Sequence, residues 1–510
     1  MRNTFAIGDT KAITVLHTDA DKEPRLTEYF VKPPFFDGVA GDPAHPSAAI
    51  VFAPRGGGKS AQRRELERWC TSGAVLAVTY DRFEFAAGQR LEDISLAYHI
   101  RNIIIRVLIS YLSYLSEYPN VLRNLSTAQK KLLSTFAHSY LGDLTGLKLQ
   151  ELLRELKSLP EKMRKFWSDH VGILDSVVNV LLKKYGLENI DLSDQRQEQK
   201  KLSETYKHQL EVLLELVRQI GFRSIYILVD KIDESEKTGN NPDTSYTLLH
   251  PLLTDLELLG LDGYGFKFFA WDQIQPRFSS AARPDRVPQY SLSWSREALE
   301  NVLAKRISAL SNEKISCFAD MLSEQPGYNV DRVICLIANR SPRNVTRICE
   351  KILTVQAELD REAAFISPQA VERGIDQYCI QVAQELYGEE VSRDLQRTGR
   401  ELFTINYLAS EVFKQTHENT SRNRVTKWGQ LGLVRHVNSV SIAGARRPLN
   451  FYYVTDPAMI RLIHRSVPLK KFLEDRWLPC AQCGADNLMD LNLIPEGNDA
   501  LCHGCGRPLL

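Results

Sequence analysis

The chain has 510 residues, of which 43% are apolar and 25% are charged, a composition typical of globular domains. This length allows roughly two to four domains with sizeable buried cores. The longest apolar run begins at Ile103, is interrupted by Arg106 and is too short to cross a bilayer. The start of the chain lacks the apolar core of a secretory signal. These features argue against a membrane protein and predict a cytoplasmic one.

Charge is unevenly distributed along the chain. The formal net charge is +1, but residues 400–470 contain eleven Lys or Arg against four Asp or Glu. This segment therefore carries an excess of seven positive charges, while the rest of the chain is mildly acidic. A local basic excess favours a nucleic-acid partner.

Apolar stretches in chain order predict the secondary structure. Residues 48–53 and 74–80 are almost entirely apolar, as in parallel strands that are covered on both faces. Strand character returns at 224–230, 266–271 and 288–294. Residues 91–221 have a helical pattern, which we interpret as a large insertion. Another helix begins after Ser295, a predicted N-cap, and helices continue to about residue 395.

The first predicted strand runs into a glycine-rich turn with the sequence APRGGGKS, residues 53–60. It matches the pattern G-x-x-x-x-G-K-[ST] except at Ala53, which is tolerable at a negative φ. Bare glycine backbone at the start of a helix can surround a phosphate. Lys59 supplies a positive charge for the outer phosphates, and Ser60 supplies a hydroxyl ligand for Mg²⁺. The predicted ATP contacts are Arg55, Gly56, Gly57, Gly58, Lys59, Ser60 and Ala61.

A second motif follows in the order that such a site requires. In IYILVDKIDE, a strand of apolar residues ends at Asp230, and Asp233 and Glu234 come shortly after it. A carboxylate at the end of a buried parallel strand can hold Mg²⁺ through water. A neighbouring carboxylate can orient or deprotonate the attacking water. The alternative is a core strand that ends in a solvated acidic turn, but the glycine-rich loop favours nucleotide binding.

These two motifs occur with the segments FKFFAWD, RPDRVPQYSLSW and ANRSPRNVTRICEKIL. Their order resembles that in AAA+-like ATPases of the origin-recognition and STAND/KAP type, over about residues 25–395 less the helical insertion. The resemblance implies a polar sensor at Asp272 or Gln273, with Asp272 close to the nucleotide. It also implies an arginine finger, Arg283 or Arg286, offered to a neighbouring subunit, and a second sensor at Arg343. Helix capping or a solvated surface is the alternative role for these arginines.

One position departs from the family pattern. Lys231 directly follows Asp230, where many AAA+ members have glutamate. The spaced pair of Asp233 and Glu234 is more similar to STAND/KAP proteins. The catalytic base is therefore left open between these two residues, and a slow switch is possible in place of a motor.

The basic segment has the order helix, helix and hairpin, which is typical of a winged helix. The turn of the wing is predicted at Ala443, Gly444 and Ala445. Basic side chains would line the second helix and the wing tip, where they could meet phosphates of DNA or RNA; these are Arg422, Arg424, Lys427, Arg435, Arg446 and Arg447. The alternative is that this region packs on the ATPase or on a protein partner.

Four of the nine cysteines lie close to the end of the chain. Cys480 and Cys483 form one Cys-x2-Cys pair, and Cys502 and Cys505 form another, with 18 residues between the two pairs. This spacing predicts a structural zinc site with four thiolates and no open coordination position. Gly484 and Gly506 allow tight turns, and His503 is interpreted as a bystander. Two disulfides are the competing interpretation, and a cytoplasmic location disfavours them.

Together the motifs predict an α/β protein: a P-loop NTPase parallel sheet with a large helical insertion, a helical lid, a winged helix and a small zinc ribbon. The expected domains are a lead-in at 1–47, an ATPase core at 48–295 with its insertion at about 91–221, a lid at 296–395, a winged helix at 396–470 and a zinc ribbon at 471–510.

The resemblance implies an oligomeric ATPase that hydrolyses ATP with Mg²⁺ and works as a sensor or assembly platform. Many bacterial ATPases of this group are found in antiviral defence. Because no nuclease, deaminase or protease constellation is visible in the sequence, that role implies a separately encoded effector protein. Two alternatives stay open: a DNA-binding origin-recognition-type initiator or helicase loader, and a scaffold that keeps its nucleotide unhydrolysed.

Overall fold

The structure is a computed structural model. It describes residues 19–85, 88–141, 205–281, 283, 285–440, 448–494 and 499–509. The chain divides into two compact units. One is Lys32–Ser293, and the other is Trp294–Leu510 together with the N-terminal residues up to Val31. Among the described residues, no helix has the length and apolar character that a membrane span needs.

The unit Lys32–Ser293 is built on a five-stranded parallel sheet. Its strands are β1 (Ala49–Ala53), β2 (Val75–Tyr80), β3 (Ser224–Val229), β4 (Tyr264–Trp271) and β5 (Gln289–Ser291). The strand order is β2-β3-β4-β1-β5, and every pairing is parallel. The predicted parallel α/β fold class is confirmed, although β5 is shorter than the stretch 288–294 predicted for it. Because β1 pairs in parallel with β4 and β5, the loop after β1 lies at the carboxyl edge of the sheet, where such sheets bind ligands.

Helices surround this sheet. They are Phe36–Ala40, Lys59–Ser72, Leu96–Glu117, Thr127–Leu141, Tyr206–Gln219, Pro242–Thr254, Leu256–Leu259 and Gln275–Ala281. Leu96–Glu117 begins at the N-cap Ser95 and buries Ile103 and Val107 in the same core as Val78 and Ile227. The described part of the predicted helical insertion thus includes a helix that packs on the sheet. Residues 142–204 of that insertion lie outside the described residues.

A cation is buried in the middle of the sheet. Lys267 of β4 is fully buried, and its Nζ atom donates to the Ser47 carbonyl oxygen at 2.7 Å. The ammonium also lies 4.9 Å from the centre of the Tyr226 ring. Burial lowers the pKa of Lys267 to about 8, because desolvation disfavours the charged form.

The second unit is mainly helical. Its helices are Leu26–Tyr29, Arg296–Leu310, Val330–Ile337, Pro342–Leu359, Pro368–Gln396, Ile405–Tyr407, Asn419–Gln430, Pro457–Ile463 and Leu469–Arg476. The prediction that Ser295 is an N-cap is confirmed, since its side chain accepts from the Ala298 N–H at 3.1 Å. Such caps satisfy amide groups that the first turn leaves without intrahelical partners.

Two small antiparallel sheets complete this unit. Strands β6 (Leu402–Thr404), β7 (Val434–Val440) and β8 (Leu449–Val454) form the first, in the order β6-β8-β7. Helix Asn419–Gln430 packs on it through Trp428, whose ring meets Phe403 edge to face at 6.1 Å. Strands β9 (Trp477–Pro479) and β10 (Asp486–Leu488) form the second sheet. The predicted wing turn, residues 443–445, lies outside the described residues.

Candidate active site and metal centre

The loop after β1 has a backbone that requires glycine. Gly56 and Gly58 have φ angles of 72° and 96°, in the region that favours glycine over residues with a Cβ atom. A Cβ atom on Gly57 would lie 2.8 Å from the Pro54 carbonyl oxygen. The three glycines therefore keep bare backbone at the start of helix Lys59–Ser72, and Ser60 and Ala61 belong to the first turn of that helix. A cradle of this kind fits a phosphate group.

Lys59 connects this loop to the acidic residues. Its Nζ atom donates to the carbonyl oxygens of Ala53 at 3.2 Å and Pro54 at 3.4 Å. Desolvation lowers the pKa of Lys59, and carboxylates oppose this effect, with Asp233 the strongest and Asp230 next. Asp272 and Glu234 contribute further in the same direction. The structure thus brings the predicted phosphate lysine together with the carboxylates that follow β3 and β4.

Asp230 is held by an arginine that the sequence analysis did not identify. Asp230 is buried, and its Oδ2 atom accepts from Nε of buried Arg63 at 3.1 Å. Its Oδ1 atom accepts from the Lys231 N–H at 2.9 Å. Arg63 also pairs with Glu67 and donates to the Thr79 hydroxyl at 3.2 Å. The i, i+4 spacing of Arg63 and Glu67 signalled a helical ion pair, but nothing local signalled the contact to Asp230.

Asp233 is held from the phosphate loop itself. Arg55 Nε donates to Asp233 Oδ2 at 3.1 Å, and the Asp233 side chain is 5% exposed. The Arg55 guanidinium also bonds to Asn240 and lies 4.6 Å from the centre of the Trp271 ring. Arg55 therefore joins the phosphate loop to the segment after β3 and to the end of β4.

The remaining polar candidates of this unit differ in exposure. Glu234 and Gln273 are exposed, whereas Asp272 is partly buried. Burial raises the pKa of Asp272, and the neighbouring Lys59 opposes that shift. Within the described part of the chain, Oδ1 of Asp272 is buried without a hydrogen-bond partner. A buried, unsatisfied acceptor beside a cationic lysine is an arrangement that a bound ligand or its water could complete.

Lys231, which directly follows Asp230, has an unusual backbone. Its φ of 55° places it in the left-handed region, which is sparsely populated by residues other than glycine, Asn and Asp. Its Nζ atom lies 3.9 Å from Oδ2 of Asp81, at the end of β2. Lys231 thus turns the chain directly after Asp230, and its ammonium group faces the carboxylate of Asp81.

The three predicted arginines of the finger and second sensor are exposed. Arg283 and Arg286 lie in the segment before β5, and both face Asp285, at 2.8 and 3.9 Å. Arg343 belongs to the other compact unit, in the first turn of helix Pro342–Leu359, where Ser341 is the N-cap. Their roles remain predictions.

The four terminal cysteines form a compact cluster. The Sγ atoms of Cys480 and Cys505 are 3.8 Å apart, and those of Cys483 and Cys502 are 3.7 Å apart. All four Sγ atoms lie within 4.8 Å of one another. These separations exceed the roughly 2.05 Å of a disulfide. Four thiolates at about 2.3 Å from a tetrahedral Zn²⁺ would be about 3.8 Å apart, so the cluster fits such an ion.

Polar groups around the cluster connect it to the rest of its unit. Buried Asn487 donates to Sγ of Cys502 at 3.6 Å and accepts from the His503 N–H at 2.9 Å. His503 stacks on Tyr453 of β8 with ring centres 5.4 Å apart. The Tyr453 hydroxyl accepts from the Leu488 N–H at 3.0 Å. His503 is therefore not one of the four clustered ligands but packs between the cluster and strand β8.

The structure describes four of the six basic residues predicted to meet phosphates. Two of these four donate hydrogen bonds to other parts of the protein. Arg424 donates to Asp394 at 3.0 Å and lies over the Phe413 ring. Arg435 donates to the His503 carbonyl oxygen at 2.9 Å. Arg422 and Lys427 are exposed, and in the described part of the chain their ion-pair partners are exposed glutamates, at 3.6 and 3.8 Å. Residues 446 and 447 lie outside the described residues.

The glycine loop after β1, the carboxylates after β3 and the strand order together define a P-loop α/β fold. No protein-family model matches the chain, and no curated protein matches it. Among solved structures, the chain is similar to the Orc1 protein of Aeropyrum pernix in complex with DNA, with 10% identity over 88% of this chain and 95% of that one, at a TM-score of 0.35. It is also similar to Cdc6p from Pyrobaculum aerophilum, with 11% identity over 88% and 95%, at a TM-score of 0.30. The assignment of the fold rests on the sheet order and the loop.

Proposed function

We propose that the chain binds and hydrolyses ATP at the carboxyl edge of its parallel sheet. One observation carries this proposal: the glycine-cradled loop and its helix meet the carboxylates that follow two other strands. Arg55 of the loop pairs with Asp233, and Arg63 of the helix pairs with Asp230. Asp272 directly follows Trp271, which pairs with Ala53 at the start of the loop, and all three carboxylates act on the pKa of Lys59. A solvated acidic turn or a chance run of glycines would not require the loop and these carboxylates to lie together. A triphosphate with its metal does, because its negative charge requires a cation and its metal requires carboxylates.

Each residue of the site has a proposed task. Lys59 would bind the outer phosphates, and the Ser60 hydroxyl and Asp230 would hold Mg²⁺, which neutralises phosphate charge when bound. Arg63 fixes the Asp230 carboxylate at 3.1 Å. Asp233 would orient the attacking water and accept its proton. We favour Asp233 over Glu234 because Asp233 is buried and fixed by Arg55, whereas Glu234 is exposed.

The two carboxylates can be separated by isosteric variants. Asp233→Asn is expected to lower kcat for phosphate release by roughly 100-fold or more, since general-base catalysis contributes about 10²–10⁴-fold. Glu234→Gln is expected to keep most of the wild-type rate. The measurement is steady-state phosphate release, with ATP affinity measured in parallel. A larger loss for Glu234→Gln would move the base to Glu234. ATP binding without turnover in the wild type would favour the scaffold alternative.

We further propose that the C-terminal half of the chain contains a lid at 296–395, a winged helix at 396–470 and a zinc ribbon at 471–510, and that the winged helix binds DNA. Support comes from the helix Asn419–Gln430 and the hairpin β7–β8, and from the exposed side chains of Arg422 and Lys427 on that helix. We therefore place the DNA-binding, initiator-type ATPase first. Self-assembly, a defence role and a separate effector protein stay predictions from the family resemblance.

DNA binding has a clear signature in salt dependence. Lys427→Ala should lower the affinity for a short DNA duplex and reduce the slope of log K against log salt by about 1, since one phosphate contact is lost. Lys305→Ala is the matched control, because Lys305 is also an exposed lysine on a helix of the same unit. Equal slopes for the Lys427 variant and the wild type would contradict this contact. Absence of duplex binding at low salt would favour a protein partner.

A further inference from the structure

A cleft of about 230 Å³ lies beside helix Asn419–Gln430. From the helix it is lined by Arg422, Val425, Thr426 and Gly429, which share one face because they are three or four residues apart. From the hairpin it is lined by His436 of β7 and Tyr452 of β8, which are directly paired across the two strands. Arg422, Thr426, Gly429 and His436 are all exposed, so the cleft opens to solvent.

The lining combines three kinds of surface. Val425 is buried and forms part of an apolar floor. Tyr452 is partly exposed and is fixed edge to face against His436, with ring centres 5.7 Å apart and planes at 72°. Arg422 adds a cation. An aromatic face beside a cation is the surface on which proteins stack an unpaired base and bind its phosphate.

The volume of the cleft and the charge around it indicate which kind of ligand it can bind. Pockets for whole small molecules have volumes of roughly 300–1,000 Å³, so this smaller cleft fits a single planar group. Among the described residues, the ion pair of Arg422 is with Glu418, at 3.6 Å, and both side chains are at least half exposed. Because such surface pairs contribute little, Arg422 can exchange the carboxylate for a phosphate. The surrounding segment is basic, which favours an anionic strand over an acidic peptide.

We propose that this cleft binds one unpaired nucleotide of a nucleic-acid strand. The base would pack against Tyr452 over the apolar floor, and the adjoining phosphate would meet Arg422. The inference rests on the proposed nucleic-acid binding of this segment, and it deepens that function by naming the form of nucleic acid that the helix and hairpin recognise. Duplex DNA would be bound by exposed cations such as Lys427, and a separated strand would be bound by the cleft.

Gly429 provides a matched pair of variants in the full-length protein. A Cβ atom added there would meet its nearest neighbour, the Val434 carbonyl oxygen, at 3.6 Å, an ordinary contact. Gly429→Ala should therefore leave the cleft open, whereas Gly429→Leu should fill it. The probes are a fluorescein-labelled oligothymidylate, the corresponding oligouridylate and a labelled DNA duplex, with binding followed by anisotropy and folding followed by thermal melting.

We expect the leucine variant to weaken single-strand binding on the order of tenfold, with the alanine variant within about twofold of wild type. Tyr452→Ala should weaken it by a similar factor, which tests the cleft even if the leucine variant is unstable. Duplex binding should survive both changes. Single-strand affinity that is unaffected by Gly429→Leu and Tyr452→Ala overturns the cleft and leaves duplex binding, and so the proposed function, intact. A protein that binds duplex but neither oligonucleotide overturns it as well. A wild-type protein that binds neither the duplex nor the oligonucleotides would contradict both the proposed nucleic-acid binding and the proposed cleft.

Discussion

Lys59→Ala is expected to abolish measurable ATP binding. A charge-assisted hydrogen bond contributes about 1.5–3 kcal/mol, and Lys59 is proposed to make one to each outer phosphate, so affinity should fall by at least about 100-fold. The variant also leaves Asp230, Asp233 and Asp272 to face the triphosphate without the lysine charge that now offsets them. Titration calorimetry with ATP and Mg²⁺ would measure the loss.

The variant should remain folded, which makes the result interpretable. Asp230 keeps its ion pair with Arg63, and Asp233 keeps its ion pair with Arg55, so the two buried carboxylates after β3 stay paired. Arg68→Ala is the matched control on the same helix, since Arg68 is exposed and its ion pair, among the described residues, is with Glu65. A Lys59 variant that binds ATP within about threefold of wild type would contradict the assignment of the loop.

The sequence predicted the parallel sheet because its signals are local. Apolar runs defined the five strands, and the position of Ser295 defined a helix start. The same is true of the four cysteines, whose spacing predicted the cluster. In these cases the residues that determine the structure lie next to one another in the chain, so pattern and turn chemistry are sufficient.

The sequence could not predict the contacts that hold the carboxylates after β3. Arg55 meets Asp233 across 178 residues of chain, and Arg63 meets Asp230 across 167. These pairs exist because parallel strands bring their carboxyl ends to one edge of the sheet, so they depend on the strand order. The sequence left the base open between Asp233 and Glu234, and the proposal of Asp233 rests on a difference in burial that only the fold reveals, since only one of these adjacent residues is buried.

Tertiary contacts also change the interpretation of the basic segment. Charge counting treated Arg424 and Arg435 as equivalent to Arg422 and Lys427. In the structure, Arg424 is bound to Asp394, and Arg435 is bound to the backbone of His503. Of these four described cations, Arg422 and Lys427 therefore have the weakest intramolecular partners, and they are the ones on which the nucleic-acid proposals depend.

Cys480→Ser is expected to remove zinc and unfold the cysteine-rich module. Among the described residues, the core cluster around the cysteines is small, with Cys480, Ala485 and Cys502 and with Leu509 packed against them, so burial within it provides little stability. Zinc binding in comparable peptides contributes about 10–16 kcal/mol of apparent folding free energy. Metal analysis should find about one zinc per wild-type chain and almost none in the variant, and limited proteolysis should cleave the variant within residues 477–509.

Loss of the metal should also destabilise strand β8. His503 stacks on Tyr453 of that strand, and the Leu488 N–H donates to the Tyr453 hydroxyl. The hydrogen-exchange rate of the β8 amides should therefore rise in Cys480→Ser and in wild type treated with a chelator. Cys317→Ser is the control, since this cysteine lies outside the cluster and caps a short helical turn where serine can replace it. Two disulfides would consume four thiols. Wild-type protein that contains no zinc and has four free thiols fewer than its number of cysteines would therefore establish the disulfide alternative. Equal zinc content in the two serine variants would show that Cys480 is not a ligand.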